Sequence, residues 1–359
     1  MPHGLYTIET QEEKMNTSLR RALLVLTITA LITGCTNAPE NNTPVSEPAE
    51  TEITEQENNT AEEKNAVDME SIKTEYMDLK NSDYKIHRNF VELHIQEVDS
   101  EFASDMVLDL IAKSKESLGP ANDFIYGDNY MEIDKLIYDT YESNQGSFER
   151  AYAFFGKDKH TLIELMEKSE LRDGIDQYLN QGLGLYNAEG SYYFGLDYSD
   201  YFERYGLMVS EDMHTYLSIM DKEAKEHLTI EEYLGVSFEE LGKRAVSYET
   251  YLKNTEIEET KEDIRMLLMV SLWKLASPTP FDGMADDNFV IEEDMMKVYQ
   301  ELVMNDDTPV IQETVKGLLA FADSRENGVL GSYENSEELM NRSAELHKKA
   351  DQRIKELYQ

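Results

Sequence analysis

Apolar residues after residue 67 recur at intervals of three and four along most of the chain, and this spacing limits the fold more than any other feature. One such band consists of Met106, Leu108, Leu110 and Ile111. Residues three and four apart lie on one face of an α-helix, whereas a half-buried strand alternates at every second residue. The sequence therefore predicts an all-α fold, an irregular helical array with no sheet of more than two short strands.

Gly, Pro, Asn or Asp residues separate these bands, and they indicate where helices end. The band at 104–118 is predicted to end at Gly119-Pro120. The segment 91–96 alternates as a strand would, but it has no partner strand in the sequence, so we assign it to a helix. Further helices are predicted over the segments 133–141, 162–166, 172–182, 210–225, 237–253, 259–276, 292–304, 310–324 and 336–358.

The predicted helix 259–276 is apolar on most of its circumference. Such a pattern is typical of a helix that lies between other helices and has no solvent-facing side. We therefore place this helix at the centre of the array. Trp273 stands among its leucines and is expected to be buried.

A weak internal repeat with an offset of 51 residues runs through the second half of the chain, and Tyr248 and Tyr299 are one of its identical pairs. Each copy would be a helix, a polar break and a second helix, which is similar to the stacked hairpins of tetratricopeptide-type solenoids. Convergent helical patterning would explain the matches equally well. We expect an N-terminal helical subdomain at 67–205 and a solenoid-like subdomain of stacked helical hairpins at 206–359.

The chain is strongly acidic, with 33 basic and 73 acidic residues and a formal net charge of −40. A surface this negative repels nucleic-acid phosphates and anionic lipid headgroups, and it tolerates cationic partners or divalent ions. We therefore expect no nucleic-acid partner. Cys35 is the single cysteine, so no internal disulfide can hold the fold, and the hydrophobic core must do so.

The N-terminal part of the sequence carries a secretion signal. Arg20 and Arg21 precede the apolar run 22–32, which has the length of a signal-peptide core and is too short to span a bilayer. The run leads into the sequence LITGC, which ends at Cys35. This combination resembles the signal peptide and lipobox of bacterial lipoprotein precursors of the Gram-positive type.

The resemblance implies a signal peptide at 15–34, cleavage between Gly34 and Cys35, and a diacylglycerol thioether, with palmitate-type chains, on Cys35. Two acyl chains are enough for stable attachment, where one would be marginal. The lipid bilayer is then a partner of the chain through acylated Cys35. The protein would be extracytoplasmic, anchored to the outer face of the cell membrane.

Two further segments flank this signal. Residues 1–14 place three acidic side chains ahead of the arginines, so we interpret them as a mis-called upstream extension, with translation starting at Met15. The segment 35–66, which begins with the cysteine, has low complexity and contains eight glutamates against one lysine. Such a segment buries too little apolar surface to offset its ordering entropy, so it is predicted to be a disordered acidic linker.

The segment 189–193 and the helices after it resemble uncharacterised helical lipoproteins of Gram-positive bacteria. That family has no known activity that the resemblance could carry over to this chain. The sequence contains no His-Glu-x-x-His zinc motif, no serine-nucleophile turn and no Gly-rich phosphate loop. His160 with Glu164, and Glu223 with His227, are spaced as i and i+4, which is common on solvated helix faces. We therefore predict no catalytic residue, no metal ligand and no cofactor.

Aromatic residues are concentrated between residues 186 and 205. One interpretation is a ligand or partner surface that stacks on a sugar, a peptide or a partner helix. The other is that these rings form the junction between two helical subdomains, and the helical spacing of those at 198, 201 and 205 favours packing. The tyrosines concerned are Tyr186, Tyr192, Tyr193, Tyr198, Tyr201 and Tyr205.

Two functions are favoured for the folded body, and a third, solute capture for a transporter, is ranked below them because that class usually has two α/β lobes and the sequence shows no strand–helix alternation. The first is a binding or scaffolding module, whose partner would be an envelope protein or peptide. The second is an envelope hydrolase that acts on wall or peptide substrates. A cleft lined by convergent carboxylates and a histidine of shifted pKa would favour the enzyme, and a broad concave aromatic face would favour the binding module.

Overall fold

The structure of the chain is a computed structural model, and the described part is mainly helical, which confirms the all-α prediction. The predicted extension 1–14, the signal peptide 15–34 with Gly34, and the segment 35–66 with Cys35 lie outside the described residues. No helix in the described part is both long and apolar enough to cross a membrane. The structure describes residues 69–127, 130–144, 158–188, 191–230, 233–333 and 336–358.

Six helices lie in the described residues ahead of the first β-strand, and aspartates begin two of them. Asp83 accepts a hydrogen bond from the Ile86 amide at 2.9 Å, and Asp99 accepts one from the Phe102 amide at 2.8 Å. Such caps satisfy amides that have no partner within the helix. The helices are α1 (69–79), α2 (Tyr84–His94), α3 (Ser100–Tyr126), α4 (Tyr130–Ser143), α5 (Asp158–Leu165) and α6 (Glu170–Leu179).

The segment 91–96 is helical as predicted, since α2 continues to His94 and a short 3₁₀ turn follows. The predicted end of a helix at Gly119-Pro120 is wrong, because α3 runs on to Tyr126. A proline inside a helix removes one backbone hydrogen bond. Here Ala121 and Ile125 beyond it are fully buried, and the burial of this last turn offsets the lost bond.

Two β-hairpins interrupt the helices. Strands β1 (Leu183–Ala188) and β2 (Ser191–Leu196) pair antiparallel, and so do the two-residue strands β3 (Thr229–Ile230) and β4 (Tyr233–Leu234). Each sheet in the described part therefore has two strands, as the sequence predicted. The first hairpin packs against α3.

Seven helices follow the first hairpin in the part of the chain that the structure describes, and four of them form two stacked pairs. Helix α9 packs on α10, α11 packs on α12, and α13 lies against both α10 and α12, so the predicted stacked hairpins are present. Tyr248 and Tyr299, equivalent in the predicted repeat, are both buried in the first helix of their pairs. The helices are α7 (Tyr198–Tyr205), α8 (Glu211–Lys225), α9 (Phe238–Asn254), α10 (Glu258–Ala276), α11 (Glu293–Met304), α12 (Pro309–Asp323) and α13 (Glu337–Tyr358).

The hydrophobic core has a large part and a smaller one. The main core draws side chains from Ile72 near the start of the body to Ile354 in its last helix. A second cluster joins the end of α3 to helices α4 to α6 and the first hairpin. Both sides of residue 205 contribute to the main core, and the division into subdomains 67–205 and 206–359 stays a prediction.

Trp273 is only partly buried, so the prediction of a buried tryptophan is wrong. Helix α10 directs Leu268, Leu272 and Leu275 into the core, where all three are fully buried. Trp273 instead lies at the border of α10 and α13. Its ring and the His347 ring are nearly perpendicular there, with their centroids 5.4 Å apart. A helix packed on most sides still has a border, and the apolar pattern does not identify which residue occupies it.

Candidate functional site

A cavity of about 810 Å³ opens between α3, the first hairpin, α8 and α10. Its walls are mainly apolar and aromatic, with a small number of charged side chains. Pockets of this size and composition are where proteins usually hold small molecules. The aromatic residues in its lining are Tyr126, Tyr186, Tyr193 and Tyr198, and Phe194, whose side chain belongs to the second hydrophobic cluster, borders it.

The first hairpin presents two tyrosines to the cavity. Tyr186 and Tyr193 are directly opposite each other in the register, and their rings stack with centroids 5.8 Å apart. Gly184 lies two residues away on the same face, and a Cβ atom there would come within 2.9 Å of the Tyr186 ring. A side chain at 184 would therefore displace the ring, so glycine is required beneath it.

The opposite face of the hairpin fixes it to the body. Leu185 and Phe194 are paired across the strands, and both belong to the second hydrophobic cluster. Asn122 of α3 holds the backbone of Phe194 twice, since its Nδ2 donates to the carbonyl oxygen at 3.0 Å and its Oδ1 accepts from the amide at 2.8 Å. One face of the hairpin therefore packs on the body, and the other face forms part of the cavity wall.

A cluster of hydroxyls and charges borders the cavity near α10. The carboxylate of Asp263 accepts hydrogen bonds from Tyr216 at 2.6 Å and from Lys115 at 2.8 Å. Tyr198 lies 3.0 Å from the Tyr216 hydroxyl and 3.4 Å from the same carboxylate. Burial raises the pKa of both tyrosines well above the ordinary value, so both hydroxyls stay protonated and can donate.

Glu223 lines the cavity from α8 and is held from behind. Arg244, which is 2 % exposed, donates to its carboxylate at 2.7 Å, and the Tyr248 hydroxyl donates to the same oxygen. Burial raises the pKa of Glu223, and the arginine and the tyrosine oppose that rise. Arg244 also pairs with Glu226 and Glu240, so its guanidinium is fully engaged with carboxylates.

His227 lies in the cavity wall four residues after Glu223 and just beyond the end of α8 at Lys225. Burial lowers the pKa of its imidazole to about 3, so the ring is neutral at physiological pH. Its Nε2 has no hydrogen-bond partner among the residues that the structure describes. The prediction that Glu223 and His227 share a solvated helix face is wrong, because both are buried. A spacing of i and i+4 places two residues on a common face only within a helix, and α8 ends before His227.

The six tyrosines singled out in the sequence divide into two sets of three. Tyr186, Tyr193 and Tyr198 meet at the cavity, as one interpretation of the sequence requires. Tyr192 packs in the second hydrophobic cluster, and Tyr201 and Tyr205 pack in the main core, as the other interpretation requires. Whether the first three form a ligand surface stays a prediction.

Sequence reasoning missed several residues of the cavity. Tyr126 ends α3, and Asp263 lies in the second turn of α10, so neither is close in sequence to the aromatic segment. No local pattern connects them, because helix packing brings them together. The spacing of Glu223 and His227 was visible in the sequence, but it was interpreted as that of a solvent-exposed pair.

The described part of the chain contains no group of three or more His, Cys, Asp or Glu side chains that could hold a metal ion. Glu223 and His227 line the cavity, and Arg244 and Tyr248 already bind the glutamate carboxylate. Comparison of the chain with models of protein families, with curated proteins and with solved structures finds no match.

Proposed function

We propose that this chain is a bacterial lipoprotein whose folded body is a binding module for a small ligand. Acylated Cys35 anchors it to the outer face of the cell membrane, and the linker 36–66 separates the body from the bilayer. The ligand occupies the cavity bounded by Tyr186, Tyr193 and Tyr198.

The cavity is the observation that carries the binding proposal. Its volume of about 810 Å³ lies within the range of roughly 300–1,000 Å³ that small-molecule sites occupy. Its aromatic walls match the concave face expected of a binding module. Asn122 and the second hydrophobic cluster fix the hairpin, so the wall is formed before any ligand arrives and little ordering entropy opposes binding.

A hydrolase is the second candidate, and one observation favours it. His227 and the carboxylates of Glu223 and Asp263 line the same cavity, which is the convergence expected of an active site. Two features weigh against it. An imidazole with a pKa of about 3 is a poor proton acceptor near neutral pH, and the Glu223 carboxylate is saturated by Arg244 and Tyr248. Binding is therefore the better-supported function.

The anchor is tested by metabolic labelling with a palmitate analogue. We expect the label on the wild-type protein and its absence from Cys35→Ala, because the thioether needs the cysteine sulfur. Cys35→Ser is a matched control, since it keeps a nucleophilic oxygen of similar size but cannot form the thioether. Equal labelling of the wild type and both variants would show that Cys35 is not the acylation site.

Gly119 offers a way to fill the cavity without disturbing the core. It lies exposed in the cavity lining, and a Cβ atom there would meet nothing within 4 Å apart from its neighbours along the helix. Gly119→Trp is expected to occupy the mouth with an indole, whereas Gly119→Ala leaves the cavity open. Gly119 precedes Pro120, whose ring disfavours a Cβ atom on the preceding residue in the helical conformation, and this cost offsets the helix propensity gained by replacing glycine. Both variants carry the same cost, so Gly119→Ala controls for it.

A small-molecule extract of the cell envelope is then added to the full-length acylated protein, and thermal unfolding is followed. A ligand at 100 times its dissociation constant stabilises by about 2.7 kcal/mol, which raises Tm by several degrees. We expect this rise in the wild type and in Gly119→Ala, and its loss in Gly119→Trp. A rise of equal size in all three would place the ligand elsewhere, and no rise in any would count against binding.

A further inference from the structure

We propose that the cavity selects a small organic cation, an amine or quaternary ammonium group on an apolar body. This inference rests on the proposed binding function and adds the charge of the ligand. The charges and rings that line the cavity carry it, together with the charge of the whole chain.

The first observation is the balance of charge in the lining. Four carboxylates and a single lysine belong to the lining that the structure describes. That lysine, Lys115, is already paired with Asp263 at 2.8 Å, so it offers an anionic ligand no uncommitted positive charge. An anion would enter between carboxylates without a counter-charge, which is unfavourable in a partly desolvated site.

The second observation is where the carboxylates lie. Asp123 and Glu262 are exposed residues of the lining, one on α3 and one on α10, and so stand at the entrance. Glu262 pairs with Arg265 at 2.6 Å but its side chain remains 61 % exposed. Glu223 and Asp263 are the more enclosed pair. An entering cation therefore meets negative charge at the mouth, whereas the two enclosed carboxylates already have cationic partners in Arg244 and Lys115.

The third observation concerns the rings. The Tyr186 hydroxyl donates to the Leu196 carbonyl oxygen at 2.9 Å, and the Tyr198 hydroxyl is held by Tyr216 and Asp263. Because their hydroxyls are engaged by the protein, both side chains can contribute to the cavity wall only through their rings. The electron-rich face of a tyrosine attracts an ammonium group, and walls built of several such rings are how proteins recognise quaternary ammonium ligands.

The charge of the whole chain acts in the same direction. A net charge of −40 raises the local concentration of cations near the protein and lowers that of anions. Salt screens this field over about 8 Å at physiological ionic strength. Affinity for a cationic ligand should therefore fall as salt is added, whereas that for a neutral one should not.

Three probes that share one aromatic body test the inference: phenethylammonium, N-acetylphenethylamine and 3-phenylpropionate, which carry positive, zero and negative charge. Calorimetric titration into the full-length acylated protein is expected to give an affinity at least tenfold higher for the cation than for the neutral amide. The anion should bind most weakly. Asp123→Asn should lower the cation's affinity about threefold to tenfold and leave that of the amide unchanged.

Asp323→Asn is the matched control, because Asp323 is an exposed carboxylate on α12 outside the cavity lining. It removes the same charge and should leave all three affinities unchanged. Equal affinity for the cation and the amide would overturn the inference and leave the binding function standing. So would failure of all three probes while envelope extract still stabilises the wild type. Failure of both the probes and the extract would refute the binding function itself.

Discussion

Replacing Arg244 by methionine is expected to lower the free energy of unfolding by about 3–5 kcal/mol. Arg244 is 2 % exposed and donates to Glu223 and Glu240 at 2.7 and 2.8 Å. Methionine matches its length but not its charge, so the buried Glu223 carboxylate would lose its ionic partner. The Tyr248 hydroxyl and the Leu228 backbone would remain as partners, and neither carries a positive charge. Urea-induced unfolding followed by circular dichroism measures the change.

Arg204→Met is the matched control for this experiment. Arg204 also pairs with two carboxylates, Asp200 at 2.7 Å and Glu92 at 3.4 Å, but its side chain is 43 % exposed. Ion pairs in contact with solvent contribute about 0–1 kcal/mol, so this variant should unfold close to the wild type. A loss of less than 1 kcal/mol in Arg244→Met, no larger than in the control, would contradict the role of the buried arginine.

Gly182→Ala is expected to lower the free energy of unfolding by about 2–5 kcal/mol, by adding backbone strain to a steric clash. Gly182 precedes β1 and has a φ of +76°, a conformation that side chains other than glycine rarely adopt. A Cβ atom there would lie 2.5 Å from Ser114 Oγ and 2.6 Å from the Tyr84 hydroxyl. Tyr201, which is hydrogen-bonded to Ser114 at 2.6 Å, crowds the same point.

Gly328→Ala separates the two contributions. Gly328 has a φ of +72°, but a Cβ atom there would meet nothing within 4 Å. Its variant should therefore lose only the strain, about 1–2 kcal/mol. Chemical unfolding of both variants gives the comparison. Equal losses at the two positions would mean that the hydroxyl cluster moves aside easily and does not constrain the entry to the hairpin.

The helical body could be predicted because helix periodicity is a local property of the sequence. A band such as Met106, Leu110 and Ile111 indicates which face of its helix is buried, and no knowledge of the rest of the fold is needed. The caps at Asp83 and Asp99 are local in the same sense. Prediction failed where burial outweighed a local signal, as at Pro120, which the helix passes because the turn beyond it is buried.

The first hairpin was not predicted, and its two buried faces explain why. A strand with one solvent-exposed face alternates between polar and apolar residues. Strands β1 and β2 instead contact the second hydrophobic cluster on one face and the aromatic cavity on the other. Tyr193 and Phe194 are neighbours in sequence and point to different surroundings. Their run of aromatic residues gives no alternation from which a strand could be inferred.

The cavity could be predicted only in part. Tyr186, Tyr193 and Tyr198 could be singled out from the sequence because aromatic residues are concentrated in the segment that contains them. Glu223 is a charged residue on a helix, and such residues are usually solvated, so its burial depends on Arg244 some 21 positions away in sequence. A pairing of this kind arises from the packing of α8 on α9 and has no sequence-local signature.

Native mass spectrometry of the protein released gently from its own membrane tests the account most directly. The intact mass should equal the chain from Cys35 onward with a diacylglycerol group. A further non-covalent mass should be present in the wild type and in Gly119→Ala and absent from Gly119→Trp. A chain with no added ligand mass, or a ligand mass retained equally by Gly119→Trp, would contradict the claim that this cavity is the binding site of a lipid-anchored protein.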